Sequence, residues 1–135
     1  MKDDRIFIEI PSENRYIRKV SSDILSALSH YGVGESRLFD IKLCVEEAVR
    51  NAIMHGNRFD EKLRVKVSYL IADGRINIEV EDEGAGFDPA KIPNPTDKGN
   101  ITKESGRGIC LIRRLMDRVE FNKKGNKILM EKSLK

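Results

Sequence analysis

In the run EAVRNAIMHGN, residues 47–57, an acid, a carboxamide and an imidazole recur at every fourth position, as Glu47, Asn51 and His55. Side chains at that spacing stack along one face of an α-helix. A carboxylate so placed can take a proton from an attacking hydroxyl or water, and a carboxamide oxygen one turn away can hold a hard cation. The neighbouring acid, Glu46, lies about 100° around the helix axis. It stands one turn from Arg50, so a surface ion pair is expected there. Glu47 has no basic residue four positions on, which makes it the candidate base. His55 stays open, because an imidazole at a helix end caps or packs as readily as it meets a ligand.

Two glycine motifs lie downstream. Asp82, Gly84 and Gly86 read DxGxG. A carboxylate at a strand end can accept hydrogen bonds from an exocyclic amine such as the N6 of adenine. The glycines let backbone approach a flat ligand without a Cβ clash. Gly106-Arg107-Gly108 directly precedes an apolar-periodic run, where free N–H groups at a helix start could face phosphate oxygens. Neither a P-loop nor a full dinucleotide fingerprint is present.

The elements that must position these residues follow from periodicity. Arg5 to Ile10 alternates as a strand, and Ser12 or Glu13 is expected to open a helix reaching about Tyr31. Glu35 or Ser36 should cap a second helix, whose Leu38, Ile41, Val45, Ala48, Val49 and Ala52 form one apolar arc and whose C-cap is Gly56. Leu63–Ile71 and Ile76–Val80 alternate around Asp73-Gly74, a tight hairpin signal, with Asn77 and Glu79 facing water. Residues 88–105 carry three prolines and little periodic hydrophobicity, which in a compact domain suggests a functional lid. A helix over Ile109–Asp117 and a hairpin around Lys124-Gly125-Asn126 complete the chain. The sheet should be largely antiparallel, with helices on one face.

At 135 residues, with 39% hydrophobic and 35% charged side chains, the chain suits one cored domain, residues 1–135, and is too apolar for disorder. A net charge of +3 does not argue for nucleic acid, and the basic cluster from Arg113 to Lys127 reads as a solvated face. Cys44 and Cys110, far apart and in apolar runs, read as buried free thiols. With no apolar leader and no run of transmembrane length, a cytoplasmic protein without membrane attachment is expected.

Taken together, and in this order, the helix motif, DxGxG, the lid and GxG before a helix resemble the GHKL ATPase superfamily with its Bergerat nucleotide fold. Within it the chain is most similar to the anti-sigma factor serine/threonine kinases, whose EAVxNAxxHG signature is matched by Glu47, Ala48, Val49, Asn51, Ala52, His55 and Gly56. The resemblance implies an α+β, two-layer α/β sandwich with a mixed, largely antiparallel sheet. It implies ATP and Mg²⁺, with Glu47 as catalytic base and Asn51 as metal ligand. Asp82 would read adenine, while Gly84, Gly86, Gly106 and Gly108 shape the pocket beside His55 and Arg107 as further cofactor contacts. It also implies a homodimer that binds a sigma factor and phosphorylates a serine or threonine of an antagonist protein. Arg18 falls where relatives carry a partner-contacting arginine. The lid, NPTDKGNITKESGRG, departs from the shorter lids of some relatives, and contact of Lys98, Lys103 or Arg107 with phosphate stays open.

Three readings follow. One is an ATP-dependent protein kinase acting as a regulatory switch; another is a non-catalytic module that holds a partner while ATP orders the lid. A detached histidine-kinase catalytic domain ranks below both, since no upstream helix bears a phospho-acceptor histidine. An intact Glu47 favours the kinase.

Overall fold

The computed structural model describes residues 4–86 and 103–135, without the side chains of 103–105. Strand β1 (Ile6–Pro11) leads through a 3-10 turn (Asn14–Tyr16) to α1 (Ile17–Leu28). Then come α2 (Glu35–Asn51), a π-helical turn (Ala52–Gly56), β2 (Arg64–Ala72), β3 (Arg75–Glu81), α3 (Lys103–Leu115), β4 (Arg118–Phe121) and β5 (Lys127–Ser133).

The five strands form one sheet in the order β1-β2-β3-β5-β4. Every pairing among the described residues is antiparallel, so the mixed sheet expected from the resemblance has no parallel pair here. The β2–β3 hairpin turns on Asp73 (φ 54°) and Gly74 (φ 72°), the left-handed pair that matches strand twist. Inward-facing Val65, Val67 and Tyr69 of β2, Ile76, Ile78 and Val80 of β3, and Ile128 and Met130 of β5 are all buried. Against them pack Val20, Ile24 and Leu28 of α1, Ile41, Val45 and Val49 of α2, and Ile112 of α3. This single core is what fixes the helices over one face of the sheet.

Several boundaries differ from the sequence expectation, each for a local reason. Ser12 does not open α1. It is buried, and its Oγ donates to the Leu63 carbonyl at 2.7 Å, so it ties the end of β1 to β2 instead of capping. Gly34, not Glu35 or Ser36, stands before α2, with Glu35 in the first turn near the positive end of the dipole. Asn77 and Glu79 face outward but not into bulk water. Asn77 accepts from Arg5 and donates to Glu131 Oε2 (2.8 Å), and Glu79 pairs with Lys127 (3.0 Å) and Arg5 (3.5 Å).

Cys44 is a buried free thiol as expected, pushed up to about 12 by burial and by Asp40. Cys110 is free and only half-buried. Of the expected lid, 88–105, residues 88–102 lie outside the described residues, and 103–105 form the first turn of α3. No helix among the described residues is long and apolar enough to cross a membrane.

Candidate functional site

A cavity of about 380 Å³ opens between α2 with its π-helical turn, the ends of β3 and β5, and α3. Its lining includes Asn51, Met54, His55, Gly56, Arg58, Asp82 and Gly86, over an apolar floor of Val80, Ile109, Ile112, Phe121 and Ile128. That mixture of apolar surface and few convergent polar groups is the usual make-up of a small-ligand site.

The expected α-helical spacing holds through Asn51 and then changes. From Ala52 the chain widens into a π-turn, closed by Asn57 N–H donating to the Ala52 carbonyl at 2.8 Å. Such turns recur at functional sites because they re-aim side chains. Here Met54 and His55 both line the cavity. Gly56 is therefore not a C-cap. Its missing Cβ matters for another reason: a methyl there would collide with the Asp82 carboxylate, and one on Gly84 would collide with the Gly56 carbonyl. The two glycines let the π-turn and the DxGxG segment touch backbone to backbone. Gly86, at φ 80°, continues that segment along the cavity wall.

Asp82 is held from several sides. Its N–H donates to the Asn126 carbonyl (2.9 Å), its carbonyl accepts from Asn126 Nδ2 (2.8 Å), and its Oδ1 accepts the Gly84 N–H (2.8 Å). Burial pushes its carboxyl up to about 6, opposed by the Gly84 hydrogen bond, raised further by Glu81 and lowered by Lys124. Oδ2 accepts no hydrogen bond among the described residues. A carboxylate oxygen without a protein donor, on a buried residue that lines a cavity, is suited to a ligand N–H donor.

Glu47 lies one turn before Asn51, at the edge of the cavity rather than in its lining. The expected pairing of the two acids is reversed. Arg50 Nη1 donates to Glu47 Oε1 at 3.2 Å, while Glu46 Oε2 accepts from the buried Ser21 of α1 at 2.7 Å. Glu46 is engaged by Ser21 of α1, and Arg50 pairs at i,i+3 with Glu47 instead. Glu47 therefore does have a cationic partner, and the sequence argument from its lack of one fails. Its other oxygen, Oε2, sits where a Cβ on Gly108 would stand. Gly106 and Gly108 do not precede a helix, as expected, but lie within α3, which starts at Lys103. Gly106 and Gly108 are buried and Arg107 between them is exposed. Gly108 serves helix–helix approach, bringing α3 onto Glu47.

Sequence reasoning missed Asn57 and Asn126. Asn57 is buried; its Nδ2 donates to Ser12 Oγ (2.8 Å) and the Arg64 carbonyl (3.0 Å), and its Oδ1 accepts the Glu83 N–H (2.8 Å). It joins the π-turn to the ends of β1, β2 and β3. Asn126 is fixed by Asn122 Nδ2 donating to its Oδ1 at 2.8 Å, and lines the cavity opposite the π-turn. The only signal for either was an asparagine beside a glycine, which reads as ordinary turn chemistry.

The residues fit an adenine nucleotide with one cation. Asp82 Oδ2 has no donor among the described residues, and the Asn51 side chain, half-buried in the lining, has no hydrogen-bond partner among them. No group of three or more His, Cys, Asp or Glu side chains among the described residues could hold a metal by itself. A site of this kind suits Mg²⁺, which keeps its waters and takes phosphate oxygens beside one or two protein ligands. The profile of the histidine kinase-like ATPase domain matches residues 10–132. The chain belongs to that family. This histidine kinase-like ATPase is 36% identical to an anti-sigma F factor of Clostridium perfringens, over 91% of this chain and 90% of that one. It is 28% identical to the serine-protein kinase RsbW of Oceanobacillus iheyensis, over 96% and 86% of the two chains. Among solved structures, the RsbU and RsbW domains of Rv1364c from Mycobacterium tuberculosis match with a TM-score of 0.64 at 19% identity. That match covers 96% of this ATPase domain and 31% of the larger chain, and it supports the fold.

Proposed function

We propose that this protein is an ATP- and Mg²⁺-dependent serine/threonine kinase of the anti-sigma type, a single domain over 1–135 whose lid spans about 88–105. The observation that carries the reading is one line of side chains. Along one helix face Glu47 stands at the edge of the cavity and Asn51 in its lining, and the cavity wall also holds Asp82, whose Oδ2 has no donor among the described residues. Relatives named as an anti-sigma factor and as a serine-protein kinase support the same reading.

Bound Mg·ATP would supply the transferable phosphoryl group and the cation that neutralises charge developing on it. Asp82 Oδ2 accepts from the exocyclic amine of adenine, and the apolar floor covers the ring. Asn51 offers its carboxamide oxygen to the cation. Glu47 stands one turn away to receive the proton of the attacking hydroxyl, a step that contributes roughly 10²–10⁴-fold. His55 borders the same cavity, and Arg107 is solvent-facing on α3. The partners that fit the reading are a sigma factor and an antagonist protein offering a serine or threonine, with the kinase as a homodimer in the cytoplasm.

The test is incubation of the full chain with γ-labelled ATP, Mg²⁺ and antagonist proteins encoded nearby, for the wild type and Glu47→Ala. Label on a partner serine or threonine, lost in Glu47→Ala while ATP binding persists, is the expected result. Transfer by Glu47→Ala at the wild-type rate would remove Glu47 from the chemistry. Nucleotide binding without transfer by the wild type would leave a binding module.

A further inference from the structure

Glu47 is bordered on two sides, and the two are unlike. On its Oε1 side is the Arg50 guanidinium, the one hydrogen-bond donor the carboxylate has among the described residues. On its Oε2 side is the bare Cα of Gly108, where α3 comes closest. A glutamate with free torsions spreads its two oxygens over several orientations. This one has an oxygen occupied by a cation and an oxygen that no described residue donates to, beside Gly108 of α3.

The neighbouring Glu46 is already claimed by Ser21, so among the described residues Arg50 pairs with Glu47 alone. The Arg50 side chain is 42% exposed and the Glu47 side chain 20% exposed, so the pair is too open to matter much for folding. Its geometric effect is larger, because misplacing a reacting group by about 1 Å can cost about 10²-fold in rate.

We propose that Arg50 is a positioning residue, whose guanidinium holds Glu47 by Oε1 so that Oε2 is the oxygen that accepts the proton. The inference rests on the kinase reading, in which Glu47 is the base. Arg50 is not among the residues that line the cavity, so its removal should change turnover and not nucleotide affinity.

The test uses the full chain with γ-labelled Mg·ATP, reading single-turnover release of labelled phosphate to water, ATP affinity and melting temperature. The variants are Arg50→Ala, Arg50→Lys and Glu47→Gln. The expected result for Arg50→Ala is a rate at least tenfold lower, with ATP affinity within about twofold and the melting transition unmoved. Arg50→Lys, which restores a cation but not the planar fork, should recover most of the rate. An Arg50→Ala rate equal to wild type overturns the inference, as does an Arg50→Lys rate no better than Arg50→Ala. If Glu47→Gln itself hydrolyses ATP at the wild-type rate, the base assignment fails with it. If Glu47→Gln is inactive and Arg50→Ala is not, the inference falls and the kinase reading stands.

Discussion

Asp82 offers a perturbation in which stability and ligand binding should move in opposite directions. Its carboxyl is raised from 3.8 to about 6, chiefly by burial. At about 1.4 kcal/mol for each pH unit, the ionised group costs the folded, nucleotide-free protein about 3 kcal/mol. The folded value lies above the unfolded one, so the associated stability is present in full below pH 4. It is lost as pH rises through 6. The melting temperature of the free protein should therefore fall between about pH 4 and 7, by up to roughly 10 °C for a chain of this size. Asp82→Asn removes the titration and should flatten that profile, raising the melting temperature at pH 8.

Nucleotide affinity should respond with the reverse sign. A carboxylate Oδ2 accepts from an adenine amine, whereas an amide that keeps its oxygen on the Gly84 N–H must present its NH₂ to that donor. The lost hydrogen bond to a charged acceptor corresponds to about 1.5–3 kcal/mol, or roughly 10- to 150-fold weaker ATP binding. In the wild type, affinity should also weaken as pH falls through 6. Calorimetric titration with ATP and thermal melts across that range read both quantities. If Asp82→Asn binds ATP as tightly as wild type, the carboxylate is not the adenine reader. If its melting profile keeps the wild-type pH dependence, burial of Asp82 is not the source of that dependence.

Two other substitutions probe the architecture that presents the site. Gly108→Ala should improve α3 by up to about 1 kcal/mol of intrinsic propensity. Its methyl would displace Glu47 Oε2, so phosphate release should slow at least tenfold while the melting temperature holds or rises. Asn57→Ala strips hydrogen bonds from Ser12, the Arg64 carbonyl and the Glu83 N–H. Leaving such buried groups unpaired should cost roughly 2–4 kcal/mol in denaturant unfolding.

The sequence made legible what depends on period and on residue type. Alternation over β2 and β3 and the Asp73-Gly74 turn located the hairpin, and the apolar arc of α2 located its buried face. Asp82, Asn51 and His55 meet in one cavity as the motif order suggested. What stayed hidden depends on partners remote in sequence. Ser12 has the chemistry of a helix cap, and only the nearby Leu63 carbonyl, 51 positions away, makes it a strand tie. Glu46 and Arg50 have ideal spacing for an ion pair, and Ser21 on another helix decides otherwise. Gly56, Gly84 and Gly108 look like loop formers when read in order. In three dimensions each is a place where a second backbone or a carboxylate has come too near for a Cβ.

The π-turn at Ala52–Gly56 sets a condition on the length of the chain as well as on its composition. Such a turn is an α-helical one carrying a single additional residue, so removing any one position from 52 to 56 would restore regular winding. The wide ring now closed by the Asn57 N–H on the Ala52 carbonyl would contract by one residue, and the side chains of the turn would be re-aimed. Asn57 would leave Ser12 and Glu83, and Gly56 would leave Asp82, although every side chain in the signature except the deleted one survived. A deletion scan across this segment should thus be far less tolerated than alanine substitution at the same positions. Helix α2 and the strand ends are matched by counting, and the count admits no slippage.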